Sequence, residues 1–365
     1  VKETSKQTAQ RRVFPLVVAI EFDPEKITAA LVNENGRIVE KLESVITRRT
    51  TRAAAAGMTK LIVSLASSAA RADSPIAAIG FSVAGSVDPA TGRVSIPEAK
   101  DLTGLKSWTR VALLPMVEEG LNGAGIDVRS PPNEKRARAD RRDSSNPAMV
   151  IQSRVAAITV GESWIGAAHG KNNVVYLSIG DEIEAGIVVD RKLVRGSGGF
   201  AGAAGWLALS ETFKEGYSAH GCLTAEGASA PLIRRAIEGW DGSVKSMIGA
   251  LIKDNAALLD DATIIRAARG ADPLALNAIH ETCRWIGRGV ANLISILNPD
   301  VVVIGGDGGR ALKPYLDEIR KEAVKWSMPA SARQCRIVSA TLGPEAALIG
   351  SARLAFLKGA DQSIA

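Results

Sequence analysis

A β-β-β-α…β pattern occurs twice in this chain, once from Leu16 and again from Asn173. In the first copy, Leu16 to Phe22, Ile27 to Val32 and Arg37 to Leu42 read as strands, with Asn33-Glu34-Asn35-Gly36 as a hairpin turn. Arg52 to Ala72 follows as an Ala-rich helix with Met58, Leu61, Ile62 and Leu65 at helical spacing, and Ile76 to Val83 as a buried strand. In the second copy, Val174, Val175, Leu177 and Ile179 suit one buried strand and Ile187 to Val189 another; a short third strand precedes a Gly-rich loop that ends at Trp206. Two such units imply two α/β lobes with a cleft between them. The first hairpin tips, Glu21 to Lys26 and Gly180 to Gly186, are expected to face each other across that cleft.

A Gly-flanked hairpin tip can aim backbone N–H groups at a phosphate. The second tip has that frame, yet it carries Asp181, Glu182 and Glu184. Frame and charge contradict one another.

Between the copies the chain reads as loop from Val87, with a helix over Val111 to Leu121 and a long exposed loop over 129–147, rich in Pro, Arg, Asp and Ser. A strand at Met149 to Gln152 and a helix from Arg154 to Ala168 follow. Beyond Trp206 the patterning predicts helices near 229–238, 243–252, 260–269 and 273–297. A strand at Val301 to Ile304 ends in Gly305-Gly306, and a last βα unit spans Arg336 to Leu357. The expected division is a disordered tail (1–12), an N-terminal lobe (13–150), a C-terminal lobe (151–345) and a final helix (346–358) that returns toward the N-terminal lobe.

A chain of 365 residues, 46% hydrophobic and 23% charged, can build two cores. No apolar run reads as a membrane span, and VKETSKQTAQRR lacks the apolar stretch of a signal peptide. Cys222, Cys283 and Cys335 lie far apart with no CxxC, which predicts a reducing, cytoplasmic setting. The net charge of +6 permits acidic partners without requiring them. Arg48, Arg49 and Arg52, and the run Lys135 to Arg142, read as solvated surface. No aromatic residue alternates with these groups, so a single-strand nucleic-acid platform is not expected.

Four segments together resemble the ROK family (repressors, open reading frames, kinases) of the actin-like ATPase superfamily. They are IGFSVAGSVDPATGRV (79–94), the whole of 173–206, LNPDVVVIGGDGG (297–309) and LGPEAALIGSARLA (342–355), and the likeness runs from about Val13 to Leu357. The resemblance implies a two-lobed actin-like (ribonuclease H-like) fold with a central cleft. It also implies ATP with Mg²⁺, a sugar substrate and a structural zinc.

Taken residue by residue, the resemblance also shows what has changed. Family kinases place the catalytic Asp in an Asn-Asp pair, and here that pair is Ser153-Arg154. Arginine cannot accept a proton at neutral pH. The first phosphate tip, DxGGT in the family, reads Glu21-Phe22-Asp23-Pro24-Glu25-Lys26, and at the second Asp181, Glu182, Glu184 and Ala185 replace Thr and Gly. Gly180, Gly186 and the nucleotide-side pair Gly305-Gly306 remain, the last equally explained as a strand-to-helix turn. The sugar-binding Glu and His of GExGH become Ala203 and Trp206, and Pro97-Glu98 stands where Pro-Asn is common. Trp108 reads as a core residue. Of the zinc pattern CxCGxxGCxE only Gly221-Cys222 survives, and Cys222 with His220 falls short of four ligands. Glu162 and Glu226 are too isolated to assign chemistry.

These readings predict no catalytic residue, no bound ATP or Mg²⁺, and no metal. Three functions follow. The first is the effector-binding, dimerising body of a sugar-responsive ROK repressor, touching DNA only through a helix-turn-helix outside this chain. The second is a glucokinase-like sugar kinase with an atypical site. The third is a pseudokinase-like interaction module. Arg154 is expected to pair across the cleft with Asp181 or Glu184, and Lys26 to offset a further acid.

Overall fold

The structure is a computed structural model that describes residues 15–23, 25–46, 50–72, 74, 76–96, 108–126, 148–242, 245–255 and 259–357. The expected tail, the 129–147 loop with its basic run, and Pro97-Glu98 lie outside these residues.

The first half begins with β1 (Leu16–Phe22), β2 (Lys26–Val32), β3 (Ile38–Val45), α1 (Thr51–Arg71) and β4 (Ile76–Val83). Thr50 caps α1 by accepting from the Ala53 N–H. Two segments read as loop instead form a small sheet from β5 (Ser86–Val87), β6 (Val94–Ile96) and β7 (Trp108–Val111). Strands of two to four residues are too short for periodicity to register. Trp108 is buried there, stacked on Phe22 at 5.0 Å. Then come α2 (Leu113–Gly123), β8 (Ala148–Ser153) and α3 (Arg154–Ile165). The division expected at 150/151 cuts β8, which pairs with β4 through Ser153 and belongs to the first sheet.

The second half supplies β9 (Val174–Ile179), β10 (Ile183–Val189) and β11 (Lys192–Leu193). Six α-helices follow among the described residues: α4 (Tyr217–His220), α5 (Cys222–Gly227), α6 (Ser229–Glu238), α7 (Met247–Asn255), α8 (Asp261–Arg269) and α9 (Pro273–Leu297). Next are β12 (Val301–Gly305), α10 (Gly306–Ala311), α11 (Leu316–Trp326), α12 (Pro329–Gln334), β13 (Arg336–Ser339) and α13 (Ala346–Phe356).

The two large sheets have matching orders, β3-β2-β1-β4-β8 and β11-β10-β9-β12-β13. In each, an antiparallel hairpin is extended by parallel strands. The duplication inferred from the sequence is thus present as repeated topology.

β1 is apolar at nearly every position because both its faces are covered. Val18, Ile20 and Phe22 join the core under α1, whereas Val17 and Ala19 meet Leu348, Ala352 and Ala355 of α13. The α1 helix has the length and apolarity of a membrane-crossing segment, with Met58, Ile62 and Leu65 buried in that core.

Three glycines let α13 approach closely. A Cβ on Gly80 would overlap the Ser351 carbonyl, one on Gly350 the Ala157 carbonyl, and one on Gly161 would press on the Ala346 carbonyl. The last helix in the chain therefore wedges between α3 and the first sheet.

Candidate functional site

The site lies where β1, β4 and β8 end and the β9–β10 turn begins. Register places Thr28, Glu21, Ser82 and Gln152 side by side on neighbouring strands, so these polar side chains share one face of the first sheet. Ser82 is fully buried and its hydroxyl has no partner.

Arg154 opens α3 immediately after this row, with Ser153 capping the helix by accepting from the Ala156 N–H. The sequence predicts a pair between Arg154 and Asp181 or Glu184 of the second tip, but Arg154 pairs elsewhere. Its Nε lies 3.0 Å from Glu21 Oε1 and its Nη1 3.8 Å from Asp23 Oδ2. The reason is topological, since β8 is two strands from β1 and delivers Arg154 to the first tip. Lys26 turns the other way and pairs with Glu43 on β3 at 3.3 Å. Burial raises the Glu21 carboxyl above its ordinary range, with Arg154 opposing and Asp23 adding to the rise.

At the second tip the Gly180 N–H donates to the Glu182 carbonyl, closing the turn. Asp181, Glu182 and Glu184 are exposed. Burial of its surroundings raises Glu184, Glu182 adds to the rise, and the charge of Arg154 opposes it from across the cleft. Because the Glu184 side chain reaches water, screening weakens each of these influences. Asp261, at the start of α8, was not singled out from the sequence. It accepts from Ser229 Oγ at 2.6 Å, and burial and then Asp181 raise its carboxyl.

The glycines divide by role. Gly180 faces open space. Gly186, read as part of the phosphate tip, sits within β10 where a Cβ would run into Thr159 of α3. Gly305 and Gly306 form the turn from β12 into α10. Gly306 has φ +78° and donates its N–H to the Tyr176 hydroxyl at 3.0 Å. Burial pushes that hydroxyl up to about 12.

The Gly-rich loop lies along β10, with the Ala185 N–H donating to the Gly202 carbonyl at 2.7 Å. Gly199 lies against Val87 and Pro89 of the first half, so this loop bridges the two halves. Ala203 and Trp206 are both exposed, Trp206 at 57%.

Glu162 and Glu226 have structural partners. Glu162 is fully buried and accepts from the N–H groups of Ala167, Thr341 and Leu342 and from the Thr341 hydroxyl. It ties the end of α3 to the segment that leads into α13. Glu226 accepts from Lys214 at 2.5 Å, Tyr217 at 2.7 Å and Arg235 at 2.7 Å. Burial alone would raise its carboxyl, but the hydrogen bonds from Lys214 and Tyr217 and the nearby cations hold it below the ordinary range.

The cofactors implied by the resemblance do not fit these residues. A triphosphate on the family pattern would face Glu21 and Asp23 at one turn and Asp181, Glu182 and Glu184 at the other, while Arg154 is already engaged. For zinc, Cys222 is buried with its sulfur accepting from the Leu209 N–H, and His220 is exposed. Among the described residues no group of three or more His, Cys, Asp or Glu side chains stands ready to hold a metal.

Residues 142–357 match the ROK family. The chain belongs to the ROK family. Its two-lobed architecture is the actin-like fold of that family. Relatives include a glucokinase of Halalkalibacterium halodurans, 28% identical over 55% of this chain and 62% of that protein. A putative xylose repressor of Caldicellulosiruptor sp. is 30% identical over 55% of this chain and 50% of that protein. The chain thus aligns with between half and two thirds of the length of these two ROK relatives. A glucokinase of Streptomyces coelicolor is 26% identical over 93% of this chain and 97% of that protein. Among solved structures, a ROK family transcriptional regulator homologous to the E. coli MLC protein superimposes with a TM-score of 0.76 at 19% identity, covering 94% of this chain and 78% of that one. ROK kinases and ROK regulators are therefore both similar to this chain.

Proposed function

We propose that this ROK protein does not phosphorylate sugar by the base-assisted route of the family's kinases. In this reading it is the effector-binding, dimer-forming body of a sugar-responsive transcriptional regulator. Arg154 carries the proposal. It occupies the position where family kinases place the catalytic Asp, and it is engaged by Glu21 and Asp23. A guanidinium stays protonated throughout the physiological range and cannot take a hydroxyl proton. The acids of the second turn further oppose an incoming triphosphate. Similarity to a xylose repressor and to a ROK regulator structure supports the reading. The ligand is then a sugar-like small molecule in the cleft, the protein a cytoplasmic homodimer, and DNA is contacted by a helix-turn-helix outside this chain.

The test combines turnover with binding. With ATP, Mg²⁺ and a panel of hexoses, pentoses and N-acetylhexosamines, ADP release should stay at background while at least one sugar raises the Tm. Turnover that disappears in Glu21→Gln would overturn the proposal. The second reading, a sugar kinase with an atypical site, draws on the alignment that spans 97% of the Streptomyces coelicolor glucokinase. Glu21 is the partly buried carboxylate that such a reading would have to use.

A further inference from the structure

A cavity of about 580 Å³ lies away from the cleft, between α9, α11 and the segment 209–212. Its volume falls within the range of roughly 300–1,000 Å³ usual for small-ligand sites. The lining includes Trp285, Arg288 and Asn292 of α9, Trp326 of α11, and Glu211.

Arg288 is the centre of this pocket. Its guanidinium lies over Trp285 at 5.4 Å and over Trp326 at 5.6 Å. Its Nε donates to Glu322 Oε1 at 3.3 Å, and the same oxygen accepts from Trp326 Nε1 at 2.6 Å. The two aromatic rings and the carboxylate hold the group in place. Among the described residues, its two terminal nitrogens have no hydrogen-bond partner. They form a fork held in place before any ligand arrives, so little side-chain entropy remains to be lost on binding. Such a fork matches the two oxygens of a carboxylate.

The rest of the lining narrows the class. Trp326 is 56% exposed; Lys325 Nζ also lies over its ring at 5.5 Å, and the rest of the indole offers an apolar surface beside the fork. The Asn292 amide adds a polar contact. Glu211 lies on the rim with an exposed side chain, so a second negative charge on the ligand would be repelled. We propose that this pocket binds a small monoanionic carboxylate carried on a flat apolar ring, its carboxylate on the Arg288 fork and its ring on Trp326. The inference does not depend on the chemistry of the cleft.

Benzoate is the direct probe, and two of the six tryptophans of the chain line the pocket, so intrinsic fluorescence can follow the titration. Saturable quenching by benzoate is expected, with weaker binding of phenyl phosphate and much weaker binding of benzyl alcohol and benzylamine. Arg288→Gln should weaken benzoate by about tenfold or more. Glu211→Gln, on an exposed segment, should tighten it about threefold by removing the opposing charge. The proposal is overturned if benzoate fails to saturate, if benzylamine binds as tightly, or if a folded Arg288→Gln binds benzoate unchanged. Should Arg288→Gln fail to fold, Glu211→Gln decides, and an unchanged benzoate affinity there refutes the assignment.

Discussion

At the scale of single residues, Arg154 and Glu162 show how position and partner separate. In the proposed reading Arg154 stands where a base would, by its offset from Gly161-Glu162. The sequence did not place its partner, because pairing depends on which strand lies beside which. Arg154→Met would leave Glu21 facing Asp23 with only the weaker influence of Lys26 to offset them. Near pH 7 this should destabilise the protein by about 1–2 kcal/mol, a figure discounted because Arg154 is half exposed. The sign with pH follows from Glu21. Its folded pKa is raised, so the native state binds the extra proton, and charging Glu21 costs stability as pH rises through that range. Loss of Arg154 raises it further, so the deficit should be full near neutrality and shrink as pH falls through the raised folded pKa of Glu21, above the ordinary glutamate range, until Glu21 is protonated in both proteins. Urea unfolding at neutral and at acid pH measures this, and a deficit independent of pH would contradict it. The role of Glu162 is structural. Glu162→Ala would take the carboxylate away from the partly buried N–H groups of Ala167, Thr341 and Leu342 and should cost about 2–4 kcal/mol in denaturant unfolding. Gln should rescue little, since its NH₂ would oppose an N–H where Glu offers a second oxygen.

At the scale of elements, long apolar runs made their strands legible. β1, β2, β4, β9 and β12 are buried on both faces and read as near-continuous apolar segments. The two- to four-residue strands β5 to β7 gave no such signal. The short helix α10, which begins Gly-Asp-Gly-Gly, has weak intrinsic propensity and depends on its surroundings. For α11 a signal existed, because Leu316, Ile319 and Ala323 are buried at helical spacing. The close packing of α3 and α13 relies on residues with no side chain. Gly350→Ala should cost about 1–3 kcal/mol by overpacking against the Ala157 carbonyl. Thermal unfolding tests this, and an unchanged Tm would mean that the two helices have room to separate.

At the scale of the whole molecule, the ends of the chain depend on each other. Leu348, Ala352 and Ala355 cover Val17, Ala19, Ala30, Val32 and Ala78 of the first sheet. Truncation before Ala346 should therefore expose that apolar face and yield insoluble or molten protein, judged by solubility and by loss of near-ultraviolet circular dichroism. A soluble, cooperatively unfolding truncation would show that the first sheet does not need its last helix. By itself the sequence determined the duplicated α/β plan and the family, because these reside in local patterning and in motif order. Tertiary structure alone decided that Arg154 joins Glu21 and Asp23, that Gly186 serves packing, and that Trp326 of α11 meets Arg288 of α9. Each of these is a meeting of residues distant in sequence, and no local pattern encodes which distant side chain arrives alongside.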